Sequence, residues 1–154
     1  MNINIRSIEA FKNISESAIQ RIKNEAEYKK FEIGQTIAKG DTISNKVNII
    51  INGEARFVHI DGSRPTSIFK LEAGTFIGLS SILNVNSCEI VAASSELFCL
   101  ELTDTLILYL YKEEQEFQNW CNETVLIADA YQIALKIHND QAKNRIGIKK
   151  LCLN

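Results

Sequence analysis

Residues 74–93 read GTFIGLSSILNVNSCEIVAA, and this stretch decides the fold. It carries two glycines, Gly74 and Gly78, then small and apolar residues without a basic side chain. Glycine is favoured where the backbone turns sharply or approaches a ligand closely. The β-branched residues near its end are typical of a strand, which we place at 89–93. The stretch therefore predicts glycine turns that lead into a returning strand.

The segment around this stretch, residues 28–102, has the pattern of several short strands. A β-branched run at 47–51 ends at Asn52-Gly53, the strongest hairpin signal in the chain, and a strand at 55–60 ends at a second turn, Asp61-Gly62. Further strands are expected around 31–33 and at 36–39, 67–71 and 97–101. Seven or eight short strands with glycine turns at close spacing predict a closed or rolled antiparallel structure.

Helical patterns flank the predicted strands. Ser15 is an expected N-cap for a helix over about 15–27, whose residues Ile19, Ile22 and Ala26 recur at helical spacing. Two C-terminal helices are predicted, a short one at about 104–111 and a long one at about 113–144. The long helix would measure about 45 Å, and neither proline nor glycine interrupts it.

The predicted long helix carries two apolar stripes, whereas a helix on the surface of one domain needs only one. Two stripes indicate two burial partners, and the second partner would be the same helix of another copy, which makes a homodimer. The alternative is a helix buried deeply in its own domain. The stripe expected to form the dimer contains Phe117, Cys121, Thr124, Ala128, Tyr131 and Leu135, and the other contains Leu126, Ala130, Ile133 and Ile137.

Size and charge narrow the function. The 154 residues fit one domain, 1–154, and the net charge of −2 argues against an electrostatic grip on nucleic acid or an anionic membrane. No apolar run is long enough to span a membrane, and no signal peptide is recognised, so we expect a cytoplasmic location or the cytoplasmic part of a larger protein.

The four cysteines (Cys88, Cys99, Cys121 and Cys152) are widely spaced, which predicts reduced, buried thiols.

The order of these elements resembles that of cyclic-nucleotide-binding domains, the family of catabolite activator proteins and protein kinase A regulatory subunits. The resemblance covers about residues 11–139, with matching turns at Gly34, Gly40-Asp41 and Gly53. Residues 74–93 align without a gap on the family's phosphate-binding cassette, so that Gly78 falls on its glycine and Ser81 on its small residue. The resemblance implies a mainly β fold with flanking helices: a double-stranded β-helix, or jelly-roll-like β-roll, over about 28–102, followed by a short and a long C-terminal helix.

The family's cassette holds a cyclic phosphate with backbone N–H groups and an arginine, and the ribose with a glutamate. In this chain Leu79 stands at the glutamate position and Ser87 at the arginine position, and Asn86 replaces the usual proline. No lysine or arginine occurs between Lys70 and Lys112. The resemblance therefore implies a degenerate ligand site, whose candidate residues are Phe76, Gly78, Leu79, Ser80, Ser81, Ser87 and Cys88. A cation from elsewhere in the chain is the alternative, with Arg56, Arg64 and Arg145 as candidates.

The remaining residues with reactive side chains do not form a recognisable active site. His59 is expected to face solvent or to pair across strands, and His138 to lie on the dimer stripe. Cys88 is followed by Glu89, which would raise the pKa of the thiol, so we expect an inert cysteine there. The sequence contains no Ser-His-Asp signature, no phosphate-binding GxxxxGK[ST] loop and no HExxH, so an enzyme is not expected. No metal and no cofactor are expected.

These observations predict a cyclic-nucleotide-binding-like regulatory or dimerisation module with weak or no binding of cyclic AMP or cyclic GMP. The alternative is a sensor of a cyclic nucleotide or another small ligand with a rearranged pocket. Residues 145–154 are too few for a helix-turn-helix, so direct DNA binding is not expected. We expect the chain to belong to a larger signalling or transport protein.

Overall fold

The structure is a computed structural model. It describes residues 3–84 and 89–124, together with 126, 129–130, 133 and 136–137; of Asp61 and Asn84 it describes the backbone alone. Two short 3-10 helices, Ile5–Ser7 and Glu9–Phe11, open the described chain. The strands are β1 (Glu27–Phe31), β2 (Thr36–Ala38), β3 (Lys46–Asn52), β4 (Ala55–Asp61), β5 (Arg64–Leu71), β6 (Phe76–Ile77), β7 (Val91–Ala93) and β8 (Leu97–Thr103). The α-helices are α1 (Glu16–Glu25), α2 (Leu79–Asn84), α3 (Asp104–Glu113) and α4 (Gln115–Glu123).

The strands form two four-stranded antiparallel sheets. The first sheet has the order β1-β8-β3-β6, and the second has the order β2-β7-β4-β5. Pro65, which lacks a backbone donor, lies in the edge strand β5, where a proline is tolerated. The predicted mainly β fold with flanking helices is confirmed.

Only one of the two predicted hairpin turns joins two strands that pair with each other. Asp61-Gly62 is a hairpin, since Asp61 of β4 pairs with Arg64 of β5. Asn52-Gly53 is not, because β3 belongs to the first sheet and β4 to the second. Gly53 has a φ of +95°, and a Cβ at this position would collide with the carbonyl oxygen of Glu96. The turn signal was therefore correct, but the chain uses it to pass from one sheet to the other.

Two hydrophobic clusters define the layers. The intersheet cluster lies between the two sheets and contains Phe31, Ile50, Ala55, Phe57, Leu71, Ile77, Val91, Ala93, Leu97 and Cys99. The helical cluster joins the other face of the first sheet to the helices; Val47, Ile49, Leu100 and Leu102 come from the sheet, and Phe11, Ile19, Ile22, Leu106, Leu110 and Phe117 come from the helical segments. The first sheet is thus covered on both faces.

The N-terminal helix begins as predicted. The Ser15 side chain accepts a hydrogen bond from the Ala18 amide, which is the geometry of an N-cap. The helix ends at Glu25, two residues before the predicted end, because Glu27 already pairs with Glu101 in the first sheet. Phe11 packs in the helical cluster, which also contains Ile19 and Ile22.

The prediction of one long helix over 113–144 is wrong. Glu114 and Thr124 both have extended backbones, with φ of −110° and −86°, so the helix is interrupted at each of them. Helical structure resumes beyond Thr124, where the Ala130 amide donates to the Leu126 carbonyl oxygen at 3.0 Å. The first break is held by tertiary contacts, since the Glu114 carboxylate accepts from the amide and the hydroxyl of Ser15, at 2.9 and 2.5 Å.

The break also changes the expected dimer stripe. Phe117 is fully buried and Cys121 is 6% exposed, and both belong to the chain's own helical cluster. This corrects their assignment to a surface that faces a partner, while Thr124 is the C-cap of α4. Ala128, Tyr131, Leu135 and His138 lie outside the described residues. On the other stripe, Ile133 and Ile137 are each 54% exposed. Among the described residues, no helix is long and apolar enough to cross a membrane.

Candidate functional site

The segment that resembles a phosphate-binding cassette connects the two sheets. It starts after the turn at Gly74, whose amide donates to the Ile50 carbonyl oxygen at 2.8 Å. The short β6 then pairs with β3, and Gly78 leads directly into α2. After α2 the described chain continues at Glu89 and enters β7 of the second sheet.

Gly78 is required by the local geometry. Its φ is +93°, and a Cβ there would lie 2.9 Å from the backbone carbonyl oxygen of Lys46. Both features disfavour any residue with a side chain. The Gly78 carbonyl oxygen accepts a hydrogen bond from the Ile82 amide at 3.3 Å, which starts α2. Gly78 thus forms one of the glycine turns predicted within residues 74–93, and the chain enters α2 directly after it.

Leu79 belongs to the core. Its side chain is fully buried and packs in the helical cluster, on the opposite face of the first sheet from the intersheet cluster. Leu79 therefore does not contribute a polar group to the cassette, and it contributes apolar area to the core instead. A buried leucine side chain is worth roughly 1.5–3 kcal/mol when fully removed from water.

Phe76 also has a packing role. Its ring lies 5.7 Å from that of Phe11 in an edge-on arrangement and 4.9 Å from that of Trp120. These contacts place Phe76 in the helical cluster rather than against a ligand. Ser80 and Ser81 are 2% and 4% exposed, so the candidate serines are buried in α2. Ser87 and Cys88 lie outside the described residues.

The structure reveals a site residue that the sequence analysis did not select. Glu89 is only 2% exposed, and its Oε2 accepts a hydrogen bond from the Gly78 amide at 2.7 Å. A carboxylate oxygen thus occupies the Gly78 amide, a backbone donor of the segment that resembles a phosphate-binding cassette. Glu89 follows Ser87 by two residues, a position at which the family's Pro-Arg-x-Ala-Thr pattern has alanine. The detectable signal was an acidic residue within the apolar, β-branched stretch 88–93.

The carboxyl of Glu89 is poorly solvated. Burial raises the pKa of Glu89, and the hydrogen bond from Gly78 and the nearby donors of Ser80 act in the opposite direction. The Ser80 hydroxyl lies close enough to the carboxyl to influence its pKa, but the Ser80 Oγ has no hydrogen-bond partner among the described atoms. Glu89 Oε1 also lacks a hydrogen-bond partner among the described atoms. Buried polar atoms without partners are uncommon, and each one calls for an explanation.

A second polar group borders the intersheet cluster. Asn48 and Glu101 are paired across β3 and β8, on the face that also carries Ile50 and Cys99. Glu101 Oε1 lies 3.2 Å from Lys46 Nζ, and Asn48 Oδ1 has no hydrogen-bond partner among the described atoms. Lys46, whose backbone carbonyl oxygen lies beside Gly78, therefore already forms an ion pair with Glu101.

The structure also describes several of the other arginine, histidine and cysteine residues that the sequence singled out. Arg56 and Arg64 are exposed, on β4 and at the start of β5, and Arg145 lies outside the described residues. His59 is half-buried and pairs across strands with Thr66. Cys99 and Cys121 are free and buried, as predicted, and burial raises the pKa of each thiol to about 12, while Cys88 and Cys152 lie outside the described residues. No group of three potential metal ligands occurs among the described residues.

Comparisons with known proteins identify solved structures of similar architecture. No protein-family model and no curated protein sequence matches the chain. Solved structures do match. The regulatory subunit of a cAMP-independent protein kinase A from Trypanosoma brucei is 16% identical with a TM-score of 0.69, over 85% of this chain and 48% of that chain. The corresponding subunit from Trypanosoma cruzi, bound to guanosine, is also 16% identical with a TM-score of 0.69, over 88% of this chain and 48% of that chain.

A bacterial structure has the same fold. The catabolite activator protein of Thermus thermophilus is 13% identical with a TM-score of 0.62, and the match covers 89% of this chain and 62% of that chain. This chain thus spans about half the length of the kinase regulatory subunits. At these identities the likeness concerns the fold, which includes two antiparallel sheets, a short helix between β6 and β7 and C-terminal helices. The chain has the fold of the cyclic-nucleotide-binding domains.

Proposed function

We propose that this chain is a regulatory and dimerisation module of the cyclic-nucleotide-binding fold that does not respond to cyclic AMP or cyclic GMP. It acts as part of a larger signalling or transport protein on the cytoplasmic side, and it is not an enzyme. The observation that carries this proposal is the position of Leu79. Where a ligand-holding glutamate would stand, the chain has a fully buried leucine in the helical cluster.

The electrostatics support the same conclusion. The stretch between Lys70 and Lys112 contains five acidic residues and no basic one. Arg56 and Arg64 are exposed on the second sheet, and Lys46 is paired with Glu101. A hydrogen bond to a charged group contributes about 1.5–3 kcal/mol. Loss of the arginine and the glutamate would therefore weaken nucleotide binding by about 100-fold or more.

A solved structure of similar fold supports a regulatory role without cyclic AMP. The Trypanosoma brucei structure is described as the regulatory subunit of a cAMP-independent kinase. A domain of this architecture can therefore serve in a regulatory protein without that nucleotide as its signal. We extend this role to the present chain.

A ligand of lower charge is the second candidate. The Trypanosoma cruzi subunit of the same fold was solved with guanosine, a nucleoside without a phosphate. A site without a cation suits such a ligand better than it suits a cyclic phosphate, because no anion then has to be buried. This candidate keeps the regulatory role and changes only the signal.

Calorimetry separates these functions. The wild-type protein is titrated with cyclic AMP, cyclic GMP, a cyclic dinucleotide and guanosine, each at equal ionic strength. We expect no binding of either cyclic mononucleotide tighter than about 10 µM, which corresponds to roughly −7 kcal/mol. Tighter binding of either one would contradict the proposal. Binding of guanosine alone would select the second candidate.

A further inference from the structure

Two acidic side chains, Glu89 and Glu101, are buried among the described residues, and they differ in the group that contacts the carboxyl. The buried Glu101 is 3.2 Å from Lys46 Nζ and is therefore part of an ion pair. Glu89 is 2% exposed, and its hydrogen-bond partner is the backbone amide of Gly78, at 2.7 Å. An isolated buried carboxyl is unfavourable unless strong donors solvate it. Its presence in the cassette therefore calls for a specific reason.

The backbone around Gly78 supplies that reason. The positive φ of Gly78 and its close approach to Lys46 fix the direction of the amide. A buried amide without an acceptor would itself be destabilising. An anion bound at this amide would need the same hydrogen bond, and in this chain Glu89 Oε2 accepts it. The Gly78 amide thus has an acceptor without an external anion.

We propose that the Glu89 carboxyl is the resident acceptor of this cassette, and that it replaces an anionic ligand and excludes one. This inference rests on the proposed function and deepens it, because it names the group that keeps the site occupied. Exclusion has two physical parts. An entering phosphate would compete for the Gly78 amide, and it would lie beside a carboxylate of the same charge. The unpartnered Glu89 Oε1 adds a further acceptor on the same side.

Chemical rescue tests this proposal. The variant Glu89→Ala removes the carboxyl and leaves the Gly78 amide facing a small cavity, into which formate or acetate can fit. Thermal unfolding is measured near pH 7.5 with increasing sodium formate or sodium acetate, against sodium chloride at equal ionic strength. We expect the melting temperature of the variant to rise in a saturable manner, by about 3 °C or more at tenfold over the dissociation constant. The wild type should show no such rise.

Val91→Ala is the matched control. Val91 is fully buried two residues further along the same chain segment, so its truncation also creates a cavity, but in the apolar intersheet cluster. Neither formate nor acetate should stabilise this variant beyond sodium chloride. If Glu89→Ala gains no more from the carboxylates than Val91→Ala does, the proposal is overturned.

A second measurement covers the case in which Glu89→Ala does not fold. In the wild type, the NMR signal of the Gly78 amide is followed as a function of pH, and the same titration is done on Glu89→Gln. We expect the wild-type amide to report the titration of a carboxyl and the variant amide to lose this response. A Gly78 amide that ignores the substitution would overturn the proposal. Neither readout uses a nucleotide, so a failure here is distinct from the discovery of tight cyclic AMP binding.

Discussion

At the scale of single residues, two positions determine the character of the cassette. Leu79 directs its side chain into the helical cluster, and Glu89 directs its carboxyl to the Gly78 amide. The first removes a polar group from the site, and the second adds one of the wrong charge for a phosphate. Under the proposed function, both residues favour a cassette that is stable without a nucleotide.

The raised pKa of Glu89 gives a prediction for Glu89→Gln. Because the folded-state pKa lies above the ordinary value of 4.5, the native state binds more protons than the unfolded state in that window. The wild type should therefore lose stability relative to the variant as the pH rises from 4.5 through the raised pKa. The slope for one proton is at most about 1.4 kcal/mol per pH unit. Urea unfolding at several pH values measures it.

Glu72→Gln is the control for this pH series. Glu72 is exposed, and its hydrogen bond with Lys70 lowers the pKa of its carboxyl. Its contribution should therefore be lost as the pH falls, which is the opposite direction to Glu89. The Lys46–Glu101 ion pair is present in all of these proteins, so it cancels in the comparison. A flat difference between wild type and Glu89→Gln would refute the prediction.

At the scale of elements, the turns decide which strands meet. The Asp61-Gly62 turn closes a hairpin, whereas the Asn52-Gly53 turn sends the chain from β3 in one sheet to β4 in the other. Both turns have similar sequences. The difference arises from their surroundings, because Gly53 packs directly against the backbone of Glu96 and Leu97.

Gly53→Ala tests the role of this close approach. The substitution adds a methyl group where the backbone of Glu96 lies, at a position with positive φ. We expect a loss of about 2 kcal/mol or more in the free energy of unfolding, since the left-handed region alone costs about 1–2 kcal/mol. Denaturant unfolding measures the loss.

Gly34→Ala is the matched control for the turn. Gly34 has a φ of +82°, but a Cβ there would meet no atom within 4 Å. It should show the conformational cost alone, about 1–2 kcal/mol. Equal losses for the two variants would mean that the contact with Glu96 has no energetic importance.

At the scale of the whole molecule, the first sheet is covered by the second sheet on one face and by the helices on the other. Phe117 of α4 is part of this second cover, and its ring lies 5.7 Å from that of Phe11. The dimer stays a prediction, and Ile133 and Ile137 are exposed apolar residues of the C-terminal segment that such a dimer could bury. Sedimentation at several protein concentrations tests it.

Phe117→Ala separates a core role from an interface role. Removal of a fully buried phenylalanine should lower the free energy of unfolding by about 3–5 kcal/mol. Because the ring contacts this chain's own cluster, the loss should not depend on protein concentration. Leu108→Ala, at a residue that is 50% exposed, should stay within about 0.5 kcal/mol of the wild type. A loss that shrinks on dilution would instead place Phe117 in an interface.

Local sequence signals determined the strands, the turns and the first helix. Alternation and β-branched runs predicted β3, β4 and β5, and Ser15 marked the start of α1, because these features depend on residues close in the chain. The position of Gly78 was also predictable, since only glycine suits its backbone. The order of these elements and the alignment of residues 74–93 with a phosphate-binding cassette then gave the resemblance to the fold.

Contacts between distant residues decided the rest. The C-terminal helix has no proline or glycine, yet it is interrupted at Glu114, whose carboxylate binds Ser15 at the other end of the sequence. The sequence likewise showed Glu89 only as an acid in an apolar stretch, because its partner, the Gly78 amide, is brought to it by the fold. Periodicity reports which face of an element is apolar, and only the tertiary structure determines what that face and each buried polar group will meet.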